Sequence, residues 1–405
     1  MGIGNGSELL NHFGDAVKRG IPLDSLVNEG ITNVGVDTTH WLVIAKYRLQ
    51  AHQRRGHSLV SEGITNDELH ATYFIDDCRK NVAVLKQNGL TPILVFDGNA
   101  TPLKSKIEEI REAIKDENNK KNKNTNEKQH QANSAIIHRD SVPTSYNWPD
   151  KRYIPDRHNV VKWLRKNKIE FFVAPYEADA QLTHLASKKI IDAVITIDSD
   201  LIAFGCEKIL YKVDFDKKTC NYYSFQRLRE VNDDYKNFSK EKFLEMSIMI
   251  GCDYLPKLTS IGIEKAHEMI TKHQSYKKVI NRAENLVLAT GVEKTQNTTS
   301  RPVIQKYFEM AILAFTYQQV YDPESKSCQR LSHMKYDKLQ SVVVGEIPKF
   351  LGPRLKNDVV YKIAMGERES KLDIIDEDRR LEEFPGETVW HGPNALERFV
   401  KRLKE

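Results

Sequence analysis

Residues 192–205 read DAVITIDSDLIAFG, an apolar run that is interrupted by Asp198 and Asp200 and then becomes apolar again. The length and β-branched content of the first half are typical of a buried strand. Three other segments have the same character and also run up to an acid: TNVGVD to Asp37, TPILVFD to Asp97 and EFFVAPYE to Glu177. The sequence therefore predicts at least four strands that each end in a carboxylate.

Segments with helical periodicity lie between these predicted strands, including Asp67 to Asn88 and Asp156 to Lys168. Strands that alternate with helices predict an α/β fold with a mostly parallel central sheet flanked by helices. Ligands of such sheets bind beyond the carboxyl ends of the strands. We therefore expect acids that are far apart in the chain to converge at one edge of the sheet.

The expected cluster contains seven carboxylates, the last of which comes from the helix-rich region that follows the strands. They are Asp37, Asp97, Glu177, Asp179, Asp198, Asp200 and Asp253. Two like charges about 4 Å apart repel by roughly 4 kcal/mol at an effective dielectric constant near 20, so such a group must be protonated or bind cations. Oxygen ligands without nearby histidine or cysteine favour Mg²⁺ or Mn²⁺, and two such ions can promote phosphodiester hydrolysis.

A simpler interpretation exists for each acid taken alone, because an aspartate at a strand end is most often a turn or capping residue. The pairs Glu177/Asp179 and Asp198/Asp200 fit that interpretation less well, since each places two acids at i, i+2 spacing. Capping accounts poorly for all seven positions together.

Composition restricts the class of protein only mildly. The chain has 405 residues, of which 40% are hydrophobic and 29% charged, so it can bury a core in one large or two smaller domains. It contains no long uncharged apolar stretch and no secretory-type N-terminus, so we expect neither a membrane span nor export. The five cysteines show no CxxC pair, and the net charge of +5 permits polyanion binding without requiring it.

Several motifs together carry a family resemblance. VAPYEADAQL, TIDSDLIAFGC and GCDYLPKLTSIGIEKA resemble the internal motifs of the structure-specific 5′ nuclease superfamily (flap endonuclease and xeroderma pigmentosum group G type), and are most similar to its eukaryotic exonuclease-one branch. VGVDTTHWL and LVFDGNATPLKSKIEEIR resemble the N-terminal motif, and AFTYQQVYDP resembles the segment that closes the nuclease core. The resemblance extends from about residue 30 to residue 322.

The resemblance implies a PIN-like nuclease core with seven acidic ligands for two Mg²⁺ ions, for which Mn²⁺ would substitute. It also implies a 5′ to 3′ exonuclease and 5′ flap endonuclease that acts on DNA in repair or replication. The expected partners are DNA molecules with 5′ flaps, recessed ends, nicks or gaps. Two alternatives stay open: an inactive nucleic-acid-binding scaffold of the same fold, and an RNA-directed nuclease.

Lys104 and Arg111 follow the second predicted strand and are seven residues apart, so a helix would place them on nearly the same face. The resemblance implies that both reach the scissile phosphate, where they would neutralise developing charge. A solvated amphipathic face is the alternative. The next segment, KDENNKKNKNTNEKQHQANS, cannot hold a core, so we expect it to be mobile without substrate. The resemblance implies an arch or cap at this place, and a tolerated surface insertion is the alternative.

TSIGIEKAHEMI, which follows Asp253, predicts the turn and second helix of a helix-two-turn-helix that holds a phosphate of the uncut duplex strand. The expected DNA contacts are Gly2, Ser260, Gly262 and Lys265. Lys257 stands where the family has a hydroxyl residue that contributes to a K⁺ site, which argues against K⁺ at this turn. Val43 stands where relatives have a stacking tyrosine or histidine, so the stacking residue is unassigned.

The expected organisation has five parts: an N-terminal nuclease region (1–103), an arch (104–155), an internal nuclease region (156–240), a helix-two-turn-helix with closing helices (241–325) and a C-terminal extension (326–405). No sliding-clamp motif is recognisable in the C-terminal part. We expect a monomer that acts in the nucleus.

Overall fold

The computed structural model describes residues 6–54, 65–112, 154–258, 261–282, 301–331 and 347–367, together with residues 114, 288 and 334. Three of the predicted features lie outside the described residues: Gly2, Ser260 and the Asn/Lys-rich arch segment after residue 114.

A seven-stranded sheet forms the centre of the described part of the chain. Its strands are β1 (Lys18–Pro22), β2 (Asn33–Asp37), β3 (Thr91–Phe96), β4 (Glu170–Val173), β5 (Ala193–Thr196), β6 (Lys208–Asp214) and β7 (Thr219–Ser224). They lie in the order β1-β7-β6-β5-β2-β3-β4. The five strands from β6 to β4 are parallel, whereas β7 and β1 add an antiparallel edge. The predicted α/β fold with a mostly parallel sheet is confirmed.

Helices connect and cover these strands. Those of the first half are α1 (Gly6–His12), α2 (Thr39–Arg54), α3 (Asn66–Gln87), α4 (102–112), α5 (Arg157–Lys166), α6 (Ala178–Ser187), α7 (Asp200–Ala203) and α8 (Phe225–Val231). The second half contributes α9 (Lys240–Ile250), α10 (Ile263–His273), α11 (Tyr276–Arg282), α12 (Arg301–Thr316), a hairpin of β8 (Gln319–Asp322) and β9 (Ser327–Arg330), α13 (Ile347–Leu351) and α14 (Asn357–Ala364). None of the described helices is both long enough and apolar enough to cross a bilayer.

The sheet separates two hydrophobic cores. Successive side chains of β3 point to opposite faces, so Ile93 and Val95 enter one core while Leu94 and Phe96 enter the other. Helix α6 covers the first face and α3 covers the second. Burial on both faces explains why the parallel strands read as continuous apolar runs in the sequence.

The strand ends agree with the predicted ends to different degrees. β2 ends at Asp37, and β3 ends one residue before Asp97. The prediction that EFFVAPYE stays extended up to Glu177 was wrong, because β4 ends at Val173 and Glu177 immediately precedes α6, without a side-chain capping hydrogen bond. Pro175 lies between them and has no backbone N–H to continue a strand pairing.

Candidate active site

Asp37 and Asp97 are held at the carboxyl ends of β2 and β3 by threonines. The Thr39 hydroxyl donates to Asp97 Oδ2 at 2.6 Å, and the Thr39 backbone N–H donates to Asp37 Oδ1 at 3.0 Å. Thr196, at the end of β5, donates its hydroxyl to Asp37 Oδ2 at 3.0 Å. Thr39, which follows β2, therefore helps to fix the acid after β3, and Thr196 at the end of β5 helps to fix the acid of β2.

Gly98 lets the loop after β3 lie directly against the loop after β4. Its N–H donates to Tyr176 O at 2.6 Å, and a Cβ on Gly98 would lie only 2.0 Å from the backbone oxygen of Ala174. No other residue type fits this close backbone approach. The same contact brings the Ala178 N–H within 2.8 Å of Asp97 Oδ1, so the acids of β3 and of the β4–α6 loop become neighbours.

Glu177 is buried and accepts hydrogen bonds from several elements. Lys104 Nζ and the Tyr254 hydroxyl donate to its Oε2 at 2.6 Å and 2.8 Å. On the other oxygen, Gln318 Nε2 donates at 3.3 Å, and the Thr101 hydroxyl donates at 3.4 Å. Gln318 also donates to the Tyr254 hydroxyl at 3.0 Å, so this network points its protons towards Glu177.

Asp253 is the second acid that pairs with cations. Arg111 Nη1 lies 2.7 Å from its Oδ1, and Lys104 Nζ lies 3.5 Å from its Oδ2. Burial by itself would raise the pKa of Asp253, but the charge of Lys104 and the hydrogen bond from Arg111 outweigh burial and lower it. Burial likewise opposes the charge on Lys104, yet the charges of Glu177 and Asp253 raise its pKa well above the usual value.

Burial disfavours the charged form of four of the other acids, Asp37, Asp179, Asp198 and Asp200. Burial, reinforced by the charge of Asp97, raises the pKa of Asp37 to about 7. Burial and neighbouring carboxylates also raise the pKa of Asp179 and Asp200. Asp200 is 2% exposed, and its Oδ1 has no hydrogen-bond partner in the described structure. Burial raises the pKa of Asp198 as well.

This donor set suits a hard divalent cation in chemistry and in charge. It consists of carboxylate oxygens, several of them buried, and Asp200 Oδ1 has no hydrogen-bond partner within the described residues. As the side chains stand, however, the described residues contain no trio arranged to hold an ion. Lys104 and Arg111 occupy oxygens of Glu177 and Asp253. The residues therefore fit a divalent ion by the chemistry of their oxygens, and binding an ion requires the side chains to rearrange.

Comparison with known proteins agrees with this arrangement. The sequence matches the XPG N-terminal domain over residues 1–118 and the XPG I-region over residues 168–253, so the two matches together include all seven acids. The chain belongs to the XPG/FEN 5′ nuclease superfamily, in its exonuclease 1 branch. It is 34% identical to exonuclease 1 of Oryza sativa subsp. japonica over 74% of this chain and 33% of that protein. It is 32% identical to exonuclease 1 of Arabidopsis thaliana over 72% of this chain and 37% of that protein.

The chain thus spans about a third of the length of these XPG-family relatives. Among solved structures it is similar to the catalytic core of Rad2 in complex with DNA substrate, at 20% identity and a TM-score of 0.44 over 69% of this chain and 71% of that one. It is also similar to flap endonuclease-1 from Methanococcus jannaschii, at 18% identity and a TM-score of 0.45 over 90% of this chain and 99% of that one.

Electrostatic repulsion links all seven acids predicted for the family site. The charges of Asp37, Asp97, Asp198 and Asp200 raise the pKa of Asp179, and those of Asp253 and Glu177 raise the pKa of Asp200. Lys104 and Arg111 join the cluster by pairing with its acids. Gly262 is the N-terminal capping residue of α10 and Lys265 is exposed in its first turn, so their role as DNA contacts stays a prediction.

Sequence reasoning missed four polar residues that orient these acids: Thr39, Thr196, Tyr254 and Gln318. Three of them left a signal, because each lies within two residues of a predicted ligand. Gln318 lies 141 residues after Glu177 and outside both matched XPG segments, and its only signal was its place in AFTYQQVYDP, the stretch that resembles the segment closing the nuclease core.

Replacing Gln318 with leucine is expected to reduce stability by roughly 1–3 kcal/mol, because it removes two buried hydrogen bonds, one of them to a carboxylate. It should also raise the Mg²⁺ concentration needed for half-maximal cleavage, since Glu177 loses a donor that fixes its position. Thermal unfolding and Mg²⁺ titration of cleavage measure the two effects. Gln305→Leu is the matched control, because Gln305 lies on α12 and donates to the buried Glu309. Equal Mg²⁺ requirements in both variants would contradict a positioning role.

Proposed function

We propose that this protein is a divalent-metal-dependent nuclease that hydrolyses DNA phosphodiesters as a 5′ to 3′ exonuclease and 5′ flap endonuclease. The observation that carries the proposal is the cluster of buried, mutually repelling carboxylates at the carboxyl edge of the parallel sheet, with two cations of α4 beside it. A fold that gathers such charge without a ligand loses stability, so the cluster is best explained by a function.

We divide the acids between two positions for Mg²⁺, with Mn²⁺ as a substitute. Asp198, Asp200 and Asp253 would hold one ion, and Asp37, Asp97, Glu177 and Asp179 would hold the other or its waters. Bound ions would supply two kinds of chemistry there, activation of a water molecule and stabilisation of the leaving oxygen. Thr39 and Thr196 keep Asp37 and Asp97 oriented towards the site.

The cations of α4 would act on the substrate. Lys104 and Arg111 are partly exposed, at 19% and 30% of their side chains, so a phosphate that enters from solvent can reach them. There they would neutralise the charge that develops on the scissile phosphate. Gly262 and Lys265, at the N-terminus of α10, would hold a backbone phosphate of the uncut duplex strand without reading bases.

The preferred substrates are DNA molecules with a 5′ flap, a recessed 5′ end, a nick or a gap, and we place the activity in DNA repair or replication in the nucleus. The protein would act as a monomer. The compensated state of Glu177 and Asp253 also fits an inactive binding scaffold, which is the second candidate. Such a scaffold would bind flap DNA without cutting it, even in Mn²⁺.

The test is cleavage of a 5′-labelled flap DNA and of the matched RNA flap, in Mg²⁺ and in EDTA. Asp198→Ala is expected to abolish Mg²⁺-dependent DNA cleavage, because Asp198 lies among the acids that would hold the ions. Asp216→Ala is the control, since Asp216 is an exposed acid in the loop between β6 and β7. Binding without cleavage would favour the scaffold, and cleavage of the RNA flap alone would favour an RNA-directed nuclease.

A further inference from the structure

We propose that Lys104 and Arg111 keep Glu177 and Asp253 from binding a divalent ion until a substrate phosphate draws the two cations away. Metal binding and substrate binding would then strengthen each other. This inference rests on the proposed nuclease function, but it concerns the order and coupling of binding rather than the reaction itself.

The first argument is the occupancy of the carboxylate oxygens. Both oxygens of Asp253 face cations of α4, Oδ1 at 2.7 Å from Arg111 and Oδ2 at 3.5 Å from Lys104. Lys104 also lies 2.6 Å from Glu177 Oε2. A divalent ion that binds either acid through these oxygens must displace an ammonium or guanidinium group, or share the site against its repulsion.

The second argument is the difference in exposure between the partners. The side chains of Glu177 and Asp253 are only 3% and 8% exposed, whereas those of Lys104 and Arg111 are 19% and 30% exposed. The acids are also fixed by further contacts, among them the Tyr254 hydroxyl on Glu177. The long basic side chains are therefore the partners that can move more readily, and they are accessible to a phosphate that arrives from solvent.

The third argument is the charge of the new partner. A phosphodiester is an anion that offers Lys and Arg charge-assisted hydrogen bonds like those of a carboxylate. When the phosphate pairs with Lys104 and Arg111, Glu177 and Asp253 lose their cationic partners. Their charges then repel Asp200 without compensation, and both already raise the pKa of Asp200. The acidic cluster then needs a cation more than before, so the substrate raises its affinity for a divalent ion.

Thermodynamic linkage makes this coupling reciprocal, so metal ions must raise the affinity for substrate by the same factor. Couplings of this kind are commonly about 5- to 150-fold in affinity. Lys104 contacts both acids and should carry most of the effect.

The test measures Mn²⁺ binding by electron paramagnetic resonance, with and without saturating flap DNA. The DNA carries phosphorothioate linkages at the junction and is checked on a gel for integrity after each titration. Three proteins are compared: the wild type, Lys104→Met and Lys106→Met. Lys106 is the matched control, because it lies on the same helix but pairs with the exposed Glu109 at 2.7 Å.

Without DNA, Lys104→Met is expected to bind Mn²⁺ at least about fivefold more tightly than the wild type and Lys106→Met. DNA should increase the Mn²⁺ affinity of the wild type and Lys106→Met by about 5- to 150-fold, and that of Lys104→Met by less than a third of the wild-type factor. Equal DNA-induced gains, or equal DNA-free affinities, in all three proteins overturn the coupling. A wild type that cuts neither DNA nor RNA flaps overturns the proposed function instead, whatever the Mn²⁺ affinities.

Discussion

Asp200→Asn is expected to lower the rate of DNA cleavage by at least about 1000-fold and, at the same time, to make the metal-free protein more stable. Asp200 is 2% exposed, feels the charges of Asp198 and Asp253, and has an oxygen without a hydrogen-bond partner in the described structure. Asparagine has nearly the same shape but no charge. It therefore removes the repulsion together with the metal-binding oxygen.

The expected gain in the free energy of unfolding is on the order of 2 kcal/mol at pH 8 without metal, roughly half of one close like-charge repulsion. Thermal unfolding in EDTA measures it, and a single-turnover cleavage assay measures the loss of activity. The helix start is unaffected, because the Asp200 contacts with Asp198 Oδ1 and Phe204 use backbone atoms of residue 200.

Asp192→Asn is the matched control. Asp192 is also an acid next to β5, but its Oδ2 accepts three hydrogen bonds from Thr32 and Asn33, at 2.8 to 3.2 Å. These donors lower its pKa although burial acts against them. Its substitution should therefore destabilise the protein and leave the rate constant of cleavage unchanged. If both substitutions destabilise the metal-free protein equally, repulsion among the site acids does not destabilise the folded state at Asp200.

A second large effect is expected from pH in the absence of metal. The free energy of unfolding should fall as pH rises from 6.5 to 8.5, because the pKa of Asp37 is raised to about 7 in the folded state. A raised pKa means that the folded protein holds a proton which the unfolded chain has already lost, so each pH step up to about that pKa favours unfolding, and the loss is complete within about one unit above it. Asp37 alone should contribute about 0.8 kcal/mol over this range. The lowered pKa values of His40 and His70 affect stability only below about pH 6.5.

Mg²⁺ is expected to reverse most of this loss at pH 8.5, since ionised acids bind the ion and neutral ones do not. Part of the loss should persist, because the pKa of the buried Glu245 is also raised to about 7. Glu245 is not one of the site acids, since it lies on α9 and accepts a hydrogen bond from the Tyr276 N–H. Glu245→Gln should remove that part. Thermal unfolding over pH, with Mg²⁺ or EDTA, gives both contributions. Unfolding curves that are identical with and without Mg²⁺ at pH 8.5 would contradict a metal site in this cluster.

The sequence was sufficient to predict the parallel centre of the sheet, because burial on both faces leaves an unmistakable apolar run. β2, β3 and β5 were found in this way, and their acids follow from the rule that ligands bind at the carboxyl edge. The strands β1, β6 and β7 were not predicted. β1 pairs with β7 across up to 204 positions of the chain, whereas β6 and β7 form a hairpin.

The pairing of Lys104 with Glu177 could not be predicted, because the sequence around a lysine does not show whether its side chain is available to bind phosphate or pairs with a distant acid. The outcome depends on how closely the loop of Gly98 lies against Ala174, and on the hydroxyl of Tyr254 behind Glu177. These are properties of packing between distant segments. The prediction that Lys104 and Arg111 share one spot rested on helical spacing alone, whereas the structure gives them Asp253 in common.

Gln318 has a practical consequence for anyone who wishes to make a minimal version of this protein. A fragment that stops where the matched XPG I-region stops, at residue 253, would omit both Tyr254 and Gln318 and would leave Glu177 with fewer donors. Tyr176, next to Glu177, is in turn anchored by its hydroxyl to Pro353 O at 3.2 Å. The smallest unit that can be expected to fold with its acids correctly placed therefore extends at least to Pro353, well beyond the matched XPG segments.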